Sequence, residues 1–510
     1  MAERRLLLGA RLAGGAVAAG VAAVTIAVVG LVPLPTLGAG PRSVTVDPAP
    51  AGQVRVCPGA VLRLGDAIGS DAASAFVVGS PAISPAATGA DLERERLASA
   101  EEGAPASAAP EVLRVPPAAD ALIAGAQHQN VDAPDYRGLS AATCEEPSGS
   151  IWLVGGATTV GRTTVLLLSN PTETPARVDL EIFGEGGPVT SPGMTGIVVA
   201  PGSQRALALA GFAPGLASPV VHVTSRGGRV VADLQQSIVR GLSATGVETT
   251  GGAADPATGL VIPGVRIVDS VGVSRASALA DWQDVMPAIR VGVPGAQDAT
   301  VTVRVVPQDP AADGSTFRLD IAAGTVTEVP LDAGASDIGS GEGGPGEDDH
   351  DDHSHGLGDG MYAVYVESDV PVVAAVRAST AVDRGSDAEG LESMFAAPRS
   401  DLAWFPAAPA LTGATLVVVP GAPSPVIAVA NPGDSDAVVE VAAQSGDAPP
   451  VELAVPAGSA ASVAVSAGAY LLSGAEGLSV SVSFAAPGLL AATVVAPPRP
   501  VAGPIVIRPD

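Results

Sequence analysis

The chain has 510 residues, 53 acidic and 26 basic, every basic residue is arginine, and the formal charge is −27. That imbalance excludes nucleic acid and anionic lipid surfaces as general partners, and no local basic patch reverses it. The length calls for three or four domains, and a chain 47% hydrophobic but only 3% aromatic must build their cores from Val, Leu, Ile and Ala.

Residues 1–11 carry Arg4, Arg5 and Arg11, and an uncharged run follows over residues 12–32. About 20 apolar residues span a bilayer as a helix, and arginines on the leading side hold that side in the cytoplasm. The pattern predicts a basic cytoplasmic tail (1–11), a retained N-terminal transmembrane helix (12–32), and the bulk of the chain outside. A cleaved signal peptide is the rival reading, with Leu37-Gly38-Ala39-Gly40 offering small residues for cleavage, although the run is long for a signal core.

Residues 43–149 read as an irregular β-rich region. Residues 44–46 and 54–58 have strand character, 91–97 look like a short polar helix or an exposed loop, and 104–109 are low in complexity. The only two cysteines, Cys57 and Cys144, bracket most of this region. Beyond an export segment an even pair reads as a disulfide, and closing so long a loop contributes about 4–5 kcal/mol in the chain-entropy model. Two separate thiols are the alternative; two Cys without a nearby His make no convincing zinc site.

The rest of the chain repeats itself. Asn170-Pro171 leads into Val178-Asp179-Leu180-Glu181-Ile182, then Pro201-Gly202-Ser203 and a strand with Leu207 and Leu209. Val293-Pro294 leads at the same spacing into Val301-Thr302-Val303-Arg304-Val305, then Gly324-Thr325, then Val329 and Leu331. Asn431-Pro432 leads into Val439-Glu440-Val441, then Pro456-Ala457-Gly458-Ser459, then Val463 and Val465. Two-residue alternation puts one strand face in a core and the other in water, while Pro and Gly supply the turn dihedrals. Two further strands close each copy, at 221–225 and 230–234, 364–368 and 372–376, and 470–473 and 480–484. The pattern predicts an all-β chain of tandem immunoglobulin-like β-sandwich repeats after the transmembrane helix: repeat 1 over 150–250, a linker at 251–259, repeat 2 over 260–385 and repeat 3 over 401–500. Trp152 and Trp404 open repeats 1 and 3, and Trp282 lies in repeat 2. They read as core anchors, or as one sugar-stacking platform per repeat.

Repeat 2 carries an insertion, 332–360, containing Glu347-Asp348-Asp349-His350-Asp351-Asp352-His353-Ser354-His355. His350, His353 and His355 could ligate Zn²⁺ or Ni²⁺, and carboxylates such as Asp349 and Asp351 suit Ca²⁺. Flanking glycines give no preorganised geometry, so the first reading is a solvated acidic hairpin tip and the metal site is the alternative. No cofactor is expected. His128 and His222 stand alone, the latter within a strand pattern. Nucleophile elbows, phosphate loops, dinucleotide fingerprints and metalloprotease helices are missing from the sequence. An enzyme would need His128 or His222 to converge in space with a carboxylate.

The Arg-flanked hydrophobic run, the Cys57/Cys144 pair, the Ile151-Trp152-Leu153 entry and the Ser169-Asn170-Pro171 turn together resemble a family of uncharacterised actinobacterial envelope proteins that carry a domain of unknown function. The resemblance implies export and β-rich domains, and brings no catalytic residues. Val293 stands where the other repeats have Asn, so a side-chain cap at this turn is not general. The sequence is read as a non-enzymatic extracytoplasmic structural or interaction protein of the cell envelope, held at the membrane by its N-terminal helix. An envelope protein or glycan is the expected partner. The alternative is an envelope carbohydrate-binding protein, which exposed and coplanar Trp152, Trp282 and Trp404 would favour.

Overall fold

Period-two alternation becomes strand almost everywhere in the computed structural model, which describes residues 20–21, 44–46, 52–65, 74–118, 121–332, 357–382, 397–446, 449–497 and 505–507. The predicted transmembrane run, apart from Gly20 and Val21, and the acidic stretch with Asp349, His350, Asp351, His353 and His355 lie outside the described residues. Among the described residues no helix is long and apolar enough to cross a membrane. Residues 1–49 and 501–510 form one unit, in which β1 (Val44–Val46) pairs antiparallel with Ile505–Ile507; residues 50–500 form the other.

The larger unit begins with β2 (Gln53–Cys57), β3 (Val61–Leu64), β4 (Ala75–Val78), β5 (Ala82–Thr88), β6 (Glu93–Arg96), β7 (Glu111–Val115), β8 (Leu122–Ala133) and β9 (Tyr136–Thr143). They form three small sheets, β2-β7-β6, β3-β4 and β5-β8-β9. Residues 91–97, read from sequence as a polar helix or loop, instead supply the edge strand β6. Its pairing with β7 brings Arg94 to Glu111 and Glu95 to Arg114, and a charged edge discourages further strand addition. Cys57 and Cys144 are bonded to each other, buried among Leu113, Val115 and Ile123, and tie β2 to the chain leaving β9.

Three sandwiches follow with one strand order. The first comprises β10 (Ser150–Val154), β11 (Arg162–Asn170), β12 (Ala176–Gly184), β13 (Gly187–Val189), β14 (Ile197–Val199), β15 (Ser203–Ala208), β16 (Val220–Gly227), β17 (Val231–Arg240) and β18 (Ser243–Thr250). Its sheets are β10-β16-β12-β13, with β14 also on β12, and β15-β11-β17-β18. The second comprises β19 (Ala257–Ile267), a short helix Ser270–Ser277, β20 (Ala288–Gly292), β21 (Ala299–Pro307), β22 (Ser315–Ile321), β23 (Val326–Pro330), β24 (Gly360–Val382) and β25 (Arg399–Pro406). The long β24 serves both layers: its first half pairs with β19 and β21, its second with β20 and β25. The third runs through β26 (Thr415–Val419), β27 (Val426–Ala430), β28 (Ala437–Ala443), β29 (Val451–Val455), β30 (Ala460–Ala464), β31 (Gly468–Ser473), β32 (Ser479–Ala486) and β33 (Leu489–Val495), as β26-β31-β28-β29 over β30-β27-β32-β33. Each pair of sheets encloses an aliphatic core, around Leu166, Leu180 and Leu234 in the first, Ile289, Val303 and Val364 in the second, and Ile427, Val439 and Val482 in the third.

Two boundaries differ from the sequence reading. Trp404-Phe405-Pro406, expected to open the third repeat, ends β25, which pairs with β24 and so closes the second sandwich. The expected linker 251–259 already contains the start of β19, and Ala253 bridges to Trp152. The Asn-Pro turns behave alike. Asn170 Nδ2 donates to the carbonyls of Thr174 and Val199, and Asn431 Nδ2 to those of Ser435 and Val455. At Val293 the backbone N–H bonds to the Thr325 carbonyl, as that of Asn431 does to Ser459, but no side-chain cap is added.

The final strands of the sandwiches meet at one centre. Around it β9 packs on β18, β18 on β25, β25 on β33, and β33 back on β9. Asp401, fully buried, accepts there from the backbone N–H of Leu139, Val247 and Leu490, one from each of the other three strands. Gly138 and Gly246 allow this approach: a Cβ on Gly138 would sit 2.3 Å from Asp401 Oδ1, and one on Gly246 2.4 Å from Leu402.

Candidate functional site

Strand alternation in the second sandwich sends Ile289, Val291, Val376, Ala378, Ala403 and Phe405 into its core, so Arg290, Arg377 and Trp404 leave by the opposite face. Register places Arg290 across from Glu328 and Arg377 across from Trp404. This face is covered by the first sandwich, whose Trp152, Val154, Val220 and Ile238 pack on Val326, Val373, Ala375, Leu402 and Trp404. Beside that apolar contact lies a cavity of about 300 Å³ lined by Arg162, Gln236, Asp284, Arg290, Glu328 and Arg377.

Arg290 has its donors engaged. Nε reaches Glu328 at 2.8 Å, and the Nη atoms reach the carbonyls of Gly156, Pro219 and Ala217 at 3.0, 2.9 and 3.0 Å. Its guanidinium lies 4.4 Å from the Trp404 ring centre, a cation–π contact between two buried side chains. Burial pushes Arg290 below its usual range, and Glu328 opposes that shift. Glu328 also accepts from Arg377 at 2.8 Å. Burial would raise the Glu328 carboxyl, but the charges and hydrogen bonds of Arg290 and Arg377 win and hold it at about 2.

On the other wall, Asp284 takes Arg162 at 2.7 Å and Arg240 at 2.7 Å, and Arg240 stacks 4.7 Å from the Trp282 ring centre. Burial would raise Asp284, and its bonds to Arg240 and Arg162 overcome it, so this carboxyl is lowered too. Asp281, at φ 63°, turns the chain so that its carbonyl meets both Arg162 and Arg240. Four guanidiniums therefore share two ionised carboxylates, with Glu185 the next acidic group near Arg290. Such a cluster recognises by charge and hydrogen bonding.

The sequence-level candidates fall elsewhere. Trp152, Trp282 and Trp404 are all buried, Trp152 and Trp404 between the first two sandwiches and Trp282 in a small cluster with Val273, Ala276 and Val285. None presents a sugar platform, and none lies in a sandwich core, where Val, Leu and Ile suffice. His128 lies in β8, with Nδ1 buried and without a hydrogen-bond partner; burial lowers its pKa. His222 meets the convergence condition set by the sequence. Its Nδ1 is 2.8 Å from Glu181 Oε2 and its Nε2 2.9 Å from Ser150 Oγ, while its ring stacks 4.0 Å from that of Trp152. The chain of three runs across β12, β16 and β10 on the outer sheet face, with Ser150 and Glu181 exposed. Among the described residues no group of three or more His, Cys, Asp or Glu is placed to hold a metal ion.

The pattern of a family of unknown function, DUF5719, matches residues 98–342 and 354–466, which hold Arg162, Arg240, Asp284, Arg290, Glu328, Arg377 and Trp404. The chain belongs to the DUF5719 family. A search of curated proteins returns no match. The DUF5719 match is interrupted over 343–353, inside the acidic insertion.

Sequence reasoning missed the arginine cavity because a polar residue between apolar strand positions reads as facing water. One signal was legible: Arg377 is the single charge in a stretch, 372–378, otherwise made of Val and Ala. A lone Arg in so apolar a strand points to a buried partner.

Proposed function

We propose that this DUF5719 protein works outside the cytoplasmic membrane as a non-enzymatic structural and interaction module of the cell envelope. The observation that carries the reading is the buried Cys57–Cys144 bond, since a disulfide this far inside a fold belongs to an oxidising compartment. The arginines ahead of the uncharged run 12–32 supply the membrane anchor in this reading. The sandwiches are read as immunoglobulin-like with one exchange. In the third, β27 pairs with β30 and β28 with β31, second with fifth and third with sixth as in that fold, whereas β26 joins β31 and β32 joins β27. Three such units locked on one buried centre make a rigid body that holds its outer loops in fixed relation, which suits a scaffold with an envelope protein or glycan as partner. The test is protease added to intact protoplasts. Loss of nearly the whole chain, leaving a small membrane-bound fragment, is expected; full protection overturns the topology.

One observation favours a second reading, a hydrolase built on Ser150, His222 and Glu181, because a hydroxyl, an imidazole and a carboxylate in series are the parts of a nucleophilic triad. Against it, the Ser150 N–H, a donor near any developing oxyanion, is already given to Ser148 Oγ at 3.2 Å.

A further inference from the structure

We propose that the cavity between the first and second sandwiches is a binding site for a small oxyanion: a phosphate, sulfate or carboxylate group, free or carried on a larger ligand. Hydrogen-bonding groups on Arg377 and Gln236 remain unused inside it. Arg290 is saturated by Glu328 and three carbonyls. Arg377 is not: it is 6% exposed, lines the cavity, and among the described residues gives one bond, from a single Nη to Glu328. A guanidinium has five N–H groups and no acceptor, so Arg377 offers the cavity donors alone. Gln236, 3% exposed, completes the arrangement. Trp404 Nε1, which can only donate, lies 2.7 Å from Gln236 Oε1 and fixes the amide with its oxygen toward the indole. The Gln236 NH₂ is then the free end of a side chain that also lines the cavity, and no described acceptor meets it.

Arg162, Arg290 and Arg377 line the cavity with Asp281, Asp284 and Glu328, so the wall is balanced in formal charge, and the donors left over on Arg377 and Gln236 are what an anion would take. Packing four cations together has a cost that Arg377 imposes on both Arg240 and Arg290, and a bound anion offsets it. The planar fork of Arg377 suits two oxygens of one group. A volume of about 300 Å³ accepts such a group with the small fragment that bears it.

The test uses the full chain. Unfolding temperature and calorimetric titration are measured with sodium phosphate, sulfate and acetate, each against sodium chloride at matched ionic strength. At least one oxyanion is expected to raise the unfolding temperature beyond the chloride control, in a concentration-dependent way. Arg377→Lys keeps the charge and the reach to Glu328 but loses the fork, and should weaken that binding about tenfold or more. Arg162→Gln, at the more exposed wall, should weaken it in a protein that folds, and Arg205→Gln, on a distant exposed strand, should not. A preference for phosphate or sulfate over acetate assigns a tetrahedral group, and the reverse a carboxylate. If no oxyanion exceeds chloride, or if Arg377→Lys and Arg162→Gln bind as the unaltered chain does, the cluster only joins the two sandwiches and the proposal is overturned.

Discussion

Asp401 Oδ2 lies 2.7 Å from the backbone nitrogen of Leu139, two residues 262 positions apart in the chain. The same oxygen takes the N–H of Leu490 at 3.1 Å, and Oδ1 takes that of Val247 at 3.2 Å. One carboxylate thus does for four strands what a ladder of backbone bonds does for a sheet. Because all three partners are donors, the site needs an acceptor on both oxygens. Asp401→Asn keeps the shape but turns an NH₂ toward at least one N–H. Loss of about 1–3 kcal/mol of stability is expected, the range for leaving a buried polar group unpaired. Urea unfolding followed by far-UV circular dichroism checks it; a loss below about 0.5 kcal/mol would show that the centre is held by apolar packing alone.

Two buried glutamates should shape the pH dependence with opposite signs. Burial, and then Asp401 nearby, raises Glu248 well above 4.5, and its Oε2 has no hydrogen-bond partner. A raised carboxyl favours the fold below about 4.5 and costs stability as pH climbs toward the folded value. Glu328 is held at about 2 by Arg290 and Arg377, so its contribution is present above about 4.5 and is lost as pH falls toward 2. Glu248→Gln should therefore stabilise the protein at pH 7–8, by on the order of 1–3 kcal/mol, and change little at pH 4. Glu328→Gln should destabilise at pH 7, and the difference from the unaltered chain should shrink toward pH 2–3. Denaturant midpoints across pH read both; curves that run parallel to the unaltered chain would refute the assignment.

The Cys57–Cys144 bond closes a separation of 87 residues, worth about 4–5 kcal/mol in the chain-entropy model. The two sulfurs are buried, so in the folded protein they should resist both alkylation and mild reduction. The Cys57→Ala/Cys144→Ala double variant should unfold at clearly lower denaturant concentration. Peptide mapping without reductant is the direct measurement, with one linked pair expected and two alkylated peptides as the contrary result.

How much of this was legible follows from what a strand pattern encodes. The repeat spacing from Pro171 to Val178 and from Pro432 to Val439 reflects local turn and face geometry, and those strands formed with Val178 and Val439 buried in their cores. The Asn170 and Asn431 caps were legible for the same reason. The pairing partner of a strand is a tertiary fact, which is why Trp404 seemed to open a unit that it closes. The arginine cavity was hidden because alternation says which residues share a face and not what covers it. Arg290 and Arg304 sit in similar patterns. The first is enclosed by another sandwich, while Arg304 lies half-buried over Tyr365, 4.4 Å from its ring centre.

The Asn caps make a contained experiment. Asn170 and Asn431 each satisfy two carbonyls, and Asn170 Oδ1 also accepts the Thr172 N–H at 3.0 Å, as Asn431 Oδ1 accepts that of Gly433 at 2.9 Å. Both residues are buried. Replacing either by Ala strands those groups, with an expected cost of about 1–3 kcal/mol. Val293→Asn should not gain the same amount, because Val293 is packed in the second core and an amide there would replace an apolar side chain. Thermal unfolding of the three single variants decides it; a stabilising Val293→Asn would mean that the side-chain cap outweighs the lost apolar packing.

The Ser150–His222–Glu181 chain decides between the module and the hydrolase. A catalytic serine needs a base, an orienting group and donors aimed at the developing oxyanion. His222 and Glu181 supply the first two, and the ring is further fixed by its stack on Trp152. The third is where the site fails. Ser150 begins a strand at the exposed margin of the face that carries Trp152, its N–H is bound to Ser148 Oγ, and its own carbonyl takes the Ser148 hydroxyl at 2.8 Å. Glu181 is 65% exposed, so water screens the charge that would have to stabilise an imidazolium. The expected outcome is that a fluorophosphonate leaves Ser150 unlabelled after prolonged incubation at pH 8, read by intact mass and peptide mapping. Stoichiometric labelling at Ser150, abolished by His222→Gln, would replace the non-enzymatic reading with the hydrolase.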